Sequence, residues 1–165
     1  MNLQNRATRE RDFIRMIKEN ELIIYKVCSL YVSEEFSVED LYQETVLNLW
    51  RAFPGFRHEC SRSTYIYRVA LNTCISGLRR AGSRGKHVSL NLLDELAFVG
   101  ESAGEDVREL YSLIRRLDKF ERSLILLWLE EKPYREIAEI TGLSLSNVAT
   151  KLKRIKDKLI KLSNQ

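Results

Sequence analysis

Little in this sequence interrupts a helix: its 165 residues include only two prolines, Pro54 and Pro133, and seven glycines. That shortage, beside 44% hydrophobic residues, excludes wholesale disorder and leaves enough apolar side chains for real cores. Cysteine is scarce too. Cys28, Cys60 and Cys74 are odd in number and show no Cys-x-x-Cys spacing, so neither a disulfide framework nor a thiolate metal site is indicated. His58 stands near Cys60 but the only other histidine is His87, and with no second ligand pair at helical spacing a zinc site is not expected. No run approaches the roughly 18 apolar residues of a membrane span. The N-terminus carries Arg6, Arg9, Glu10, Arg11 and Asp12 where a signal peptide would be apolar. A cytoplasmic protein with no metal, no cofactor and no membrane insertion is expected.

Alternation of apolar and polar residues is also missing, while apolar residues recur at helical spacing. The expected fold is all-α: two small helical domains joined by a flexible linker, the C-terminal one a helix-turn-helix. Helices are expected near 9–32 with a break around Asn20, then at 38–52, 63–80, 106–117, 120–131, 134–141 and 145–162. Ser37 with Asp40 three positions on has the form of a capping box with Asp in place of Glu, and Pro54-Gly55 halts the helix before it. The pattern loosens between two glycine-containing stretches, 81–85 and 100–104. The domains are therefore set at 1–81 and 106–165, with a linker over 82–105 and room for a short helix across the apolar run from Leu90 to Phe98.

The net charge of +4 conceals a segmented distribution. Glu34, Glu35, Glu39, Asp40 and Glu44 form an acidic block with no basic residue inside it. Arg62, Arg68, Arg79, Arg80, Arg84 and Lys86 follow with no acid among them, and a second basic run, from Lys151 to Lys161, is opposed only by Asp157. Two basic segments imply two contacts with a polyanion.

The stretch from Pro133 to Leu152 reads as two short helices joined by a turn. Pro133 suits a helix start, Gly142 the left-handed position that ends a helix, and Ser144 the cap of the next one. Ile137 and Ile140 share one face of the first helix, and Val148, Leu152, Ile155 and Leu159 form the seam of the second. Ala138 leaves room for a close crossing. Ser146, Asn147, Thr150, Lys151 and Arg154 then face outward, as a major-groove reader requires, and Arg135 lies on the preceding helix. A solvated face would more often mix charge signs.

Both halves resemble one family. The segment from Val38 to Trp50, then Phe53-Pro-Gly-Phe56, then Ser63 to Asn72 and Leu78-Arg-Arg80, resembles region two of the bacterial sigma factors. The helix-turn-helix, preceded by Leu117-Asp-Lys-Phe-Glu-Arg-Ser-Leu-Ile-Leu126, resembles their region four. Having only these two domains is similar to the extracytoplasmic-function (ECF) group. The chain departs from the family at Arg62 and Tyr65, where Phe and Trp are common, and at Ser76, where Asp is common.

The resemblance implies a dissociable specificity subunit of core RNA polymerase, not an enzyme, which contacts the −10 and −35 promoter elements and assists strand opening. It implies that Asp40, Gln43 and Glu44 dock on the β′ subunit coiled coil, that the β subunit is a further contact, and that an anti-sigma factor restrains the protein. For single-stranded −10 DNA it points to Arg57, His58, Tyr65, Tyr67, Arg68, Asn72, Arg79 and Arg80. Aromatic faces there would stack on bases and guanidinium groups hold phosphates. Tyr65 and Tyr67, two apart on a helix, cannot share a face, so one belongs to the core. An operator-binding regulator would explain the helix-turn-helix but leave the acidic face unused. A nucleic-acid-processing enzyme would need converging carboxylates, and no second acidic helix matches Asp40 and Glu44.

Overall fold

A computed structural model describes residues 3–80 and 104–165, and among these every regular element is helical. In the N-terminal group α1 (Leu3–Glu19) and α2 (Glu21–Leu30) separate at Asn20. There the Asn20 amide donates a 2.8 Å bond back to the Met16 carbonyl, satisfying the end of α1. The expected break therefore falls where expected, although α1 starts earlier than residue 9. α3 (Val38–Ala52) opens on a reciprocal capping box. The Asp40 backbone N–H donates to Ser37 Oγ at 3.1 Å, and the Ser37 N–H donates to the Asp40 carboxylate at 3.2 Å. Pro54 sits in a single 3₁₀ turn, Phe53–Gly55, that stops α3, and α4 (Arg62–Arg80) follows.

The C-terminal group holds α5 (Glu105–Arg115), α6 (Lys119–Leu129), α7 (Tyr134–Thr141) and α8 (Leu145–Ser163). Almost all of the expected linker, with the short helix allowed inside it, lies outside the described residues. Gly142, at φ 76°, ends α7 in the left-handed conformation. Ser144 then caps α8 by accepting from the Asn147 N–H at 3.3 Å. Pro133 stands just before α7 and does not enter its first turn.

Met16, Ile24, Leu49, Ile66 and Ala70 form the solvent-free centre of the first group, and Leu124, Ile137, Val148 and Leu152 that of the second. The three cysteines are free thiols, with Cys28 and Cys74 inside the first core.

The groups also pack on each other, α4 against α6 and α7, and α2 against α5. Several polar contacts cross the seam. Lys26 pairs with Glu130 at 2.8 Å, and the Tyr31 hydroxyl donates to the Lys119 carbonyl at 2.7 Å. Arg115 and Arg122 donate to the Ser29 and Leu30 carbonyls at 2.9 and 3.0 Å. The last carbonyls of α2 are thus satisfied from the other half of the chain.

Candidate nucleic-acid and protein interfaces

Three surfaces stand out. On the first, Asp40, Gln43, Glu44 and the 42%-exposed Leu47 recur at three- and four-residue steps on the outer face of α3. They form one wall of a groove of about 750 Å³ whose other wall includes Gly77 and Arg80 of α4. Such a trough, acidic and amide-bearing with an apolar floor, fits a helix that carries Lys or Arg beside apolar residues. Asp40 serves two purposes here, because its carboxylate also closes the capping box.

The second surface is an aromatic ladder in the loop after the 3₁₀ turn. The Phe56 ring lies 4.5 Å from His58 and 4.6 Å from Tyr65, while Phe53 is anchored edge-on against Phe13 at 5.4 Å. His58 is exposed and holds φ 56°, a left-handed conformation unusual outside glycine. Strain of this kind gathers where a loop must present a side chain. The Tyr65 hydroxyl is buried without a hydrogen-bond partner. Burial raises its pKa, with a smaller push from Cys60. Along α4, Tyr65, Arg68, Asn72 and Arg79 fall on one face by helical spacing, with Asn72 and Arg79 exposed.

The third surface belongs to α7 and α8. Val148, Leu152, Ile155 and Leu159 are buried, and Ser146, Asn147, Thr150, Lys151 and Arg154 are all exposed, as is Arg135 on α7. The exposed set sits on the first half of α8, behind a left-handed glycine turn, and includes no acid. That is how a recognition helix is presented. Among the described residues no group of His, Cys, Asp and Glu converges as a metal site, and no helix is long and apolar enough to cross a membrane.

Comparison with known proteins follows this division. Family profiles described as Sigma-70 region 2 and Sigma-70, region 4 match residues 16–84 and 107–159. The RNA polymerase sigma factor YlaC of Bacillus subtilis is 31% identical over 134 residues, which cover 76% of each chain. The chain belongs to the sigma-70 factors, ECF type. The ECF RNA polymerase sigma factor SigW of the same organism is 24% identical over 84% of this chain and 81% of its own. A local match to the ECF sigma factor SigG of Mycobacterium tuberculosis, 48% identical over 40 residues, spans 11% of that protein. The solved sigma factor RpoE of Bartonella quintana, in complex with the anti-sigma factor NepR, superposes with a TM-score of 0.73 at 16% identity, covering 93% of this chain and 98% of its own. CnrH, in complex with the cytosolic domain of CnrY, does so with 0.67 at 22%, covering 94% and 89%.

Within this sigma factor the residues singled out from sequence fall into distinct places. Of the two tyrosines that could not share a face, Tyr67 is the core one, only 1% exposed. Its hydroxyl donates to Glu130 at 3.3 Å, and burial, then the Glu130 charge, drives its pKa well above the ordinary phenol value. Arg57 and His58 lie exposed on the loop. Arg68 reaches the C-terminal group, donating to the Glu139 carbonyl at 3.2 Å and lying 3.5 Å from its carboxylate. Arg80 lines the acidic groove beside Asp40 and Glu44. Phe56, quoted only as part of the Phe53–Phe56 motif, and Leu47 were not among the expected contacts. Phe56 earns notice only once the loop folds back on Tyr65, which no local pattern announces.

Proposed function

We propose that the chain binds core RNA polymerase, directs it to promoters through the −10 and −35 elements, and assists strand opening. The observation that carries this reading is the pairing of an exposed acidic and amide face on α3 with an exposed recognition helix on the other half of the chain. An operator-binding regulator needs only the second. In this reading Asp40, Gln43 and Glu44 meet the basic β′ coiled coil, and Arg80 meets the same partner from the opposite wall. The Phe56 ladder, with Arg57, His58, Tyr65, Arg68, Asn72 and Arg79, takes the unpaired non-template strand. Aromatic stacking contributes about 1–3 kcal/mol per base. Asn147, Thr150 and Lys151 read base edges of the −35 duplex, while Arg135, Ser146 and Arg154 hold its backbone.

The protein acts in the cytoplasm as a binding subunit without chemistry of its own. An anti-sigma factor is a further proposed partner, supported by the similar solved structure of RpoE, which is described in complex with the anti-sigma factor NepR. The test is runoff transcription from a promoter library with purified core polymerase. Start sites that depend on this chain are expected. Tight duplex binding with no association with core would favour the operator-binding regulator.

A further inference from the structure

Gly77 stands inside α4, where glycine is a poor choice for the chain itself. It gives up more backbone freedom on folding than alanine and weakens the helix that holds it. Two needs within a chain offset that loss: a left-handed φ, or an approach of two elements too close for a side chain. Neither applies here. Gly142 alone among the described glycines has a positive φ, and a Cβ at position 77 would meet nothing within 4 Å beyond its own stretch of helix.

The open space above Gly77 is the groove of about 750 Å³ between α3 and α4. Thr73, Gly77 and Arg80 succeed one another at steps of four and three, so one face of α4 forms the wall opposite Asp40, Glu44 and Leu47. Gly77 is itself buried, so a larger residue there would fill the trough and not pack on the chain. The glycine keeps a hole open, of the kind that receives one side chain of a facing helix. Around it the charges are one-sided: Glu35, Asp40 and Glu44 line the groove, and Arg80 is the one base among the residues that do so.

We propose that Gly77 is the seat of closest approach in the polymerase contact. An apolar side chain of Leu or Ile size, carried on the basic helix that meets α3, drops between α3 and α4 onto Gly77, while Lys or Arg residues beside it meet Asp40 and Glu44. Shape at position 77, and not charge alone, then selects the partner. This proposal rests on the reading of the α3 face as the polymerase contact and adds α4 to it as a specificity-determining wall.

The test uses the full chain and purified core polymerase. Gly77→Ala and Gly77→Leu are compared with the unmodified protein in thermal unfolding, in equilibrium affinity for core, and in binding of −35 duplex. Gly77→Ala is expected to raise the melting temperature by about 1–4 °C, because it strengthens α4 and meets no neighbour. The same change should weaken core binding by about threefold, and Gly77→Leu by tenfold or more, since each fills part of a hole that the partner must occupy. Duplex binding should stay unchanged. Stability and core affinity moving in opposite directions, with loss ordered by side-chain size, is a signature that a role in the chain's own packing would not produce. Full core affinity in both variants overturns the seat, and so does a fall in the melting temperature of Gly77→Ala, which would place the need for glycine inside the chain. The Gln43→Lys/Glu44→Lys variant separates this proposal from the reading beneath it. If that variant binds core normally, the α3 face is not the contact; if it loses core while Gly77→Leu keeps it, the face stands and only the seat fails.

Discussion

The Arg122 guanidinium donates a 3.0 Å hydrogen bond to the Leu30 carbonyl, and with it one half of the chain finishes a helix of the other. The same side chain donates to the Leu117 carbonyl at 3.0 Å and the Arg115 carbonyl at 2.6 Å, and lies over the Tyr31 ring at 5.9 Å. Burial lowers its pKa, opposed by Tyr31 and Asp118. A guanidinium is suited to such a place because its fixed fork of donors can serve several carbonyls at once.

Arg122→Ala is therefore expected to destabilise the full chain by about 2–4 kcal/mol, because buried carbonyls lose their donors. Arg122→Lys should recover less than half of that, since one ammonium cannot span the three carbonyls. Urea unfolding measures both, and a loss below about 0.5 kcal/mol for the alanine variant would contradict the capping role.

Two left-handed residues give opposite expectations. Gly142 sits at φ 76° with open space where a Cβ would go, so Gly142→Ala is costly through the backbone alone, by about 1–2 kcal/mol. Glu131 holds φ 57° with a side chain exposed to solvent, and Glu131→Gly should stabilise by about 1 kcal/mol. Thermal unfolding of the two variants should move in opposite directions, and a shared direction would remove backbone conformation as the cause.

Glu136 supplies a pH dependence. Burial raises its pKa, but hydrogen bonds from Lys132 and Thr64 and the Lys132 charge outweigh it, leaving the carboxyl below its ordinary value. A lowered folded-state pKa gives stability that is present above the ordinary carboxylate value, about 4.5, and lost as pH falls through the folded one. Glu136→Gln should accordingly flatten the fall in stability below that pH. Identical acid branches for the variant and the unmodified protein would contradict this.

On the recognition helix, Asn147→Ala should relax base preference within the −35 element at a cost of about 1–3 kcal/mol. Arg154→Ala should weaken all sequences alike and lower the salt slope by about one. Footprints on a set of mutated promoters check both, and no effect from either change would displace α8 from the groove.

Local chemistry made much of this fold readable. The Ser37 and Asp40 pair, the glycine at 142 and the seam from Val148 to Leu159 each act within a turn or two of chain, and each stands in the structure as the sequence implied. Another signal was present and unused: Asp118 and Glu121 form a second capping box at the start of α6. What could not be read is contact across long separation. Nothing near Lys26 announces Glu130, and nothing near Leu30 announces Arg122, because both partners belong to a surface that exists only after two bundles have formed. The fate of Tyr65 and Tyr67 was half legible, since spacing requires opposite faces but cannot say which one is covered.

Contact of the α3 face with polymerase is tested most directly by the binding of a Gln43→Lys/Glu44→Lys variant to purified core enzyme. These two positions are preferable to Asp40, whose loss would also open the capping box at Ser37. Co-purification with core and runoff transcription are read together, with binding of −35 duplex as the check that the C-terminal half is intact. Loss of core association and of runoff product, with duplex binding unchanged, is the predicted result. A variant that still co-purifies with core and starts transcripts at the normal rate would contradict the account.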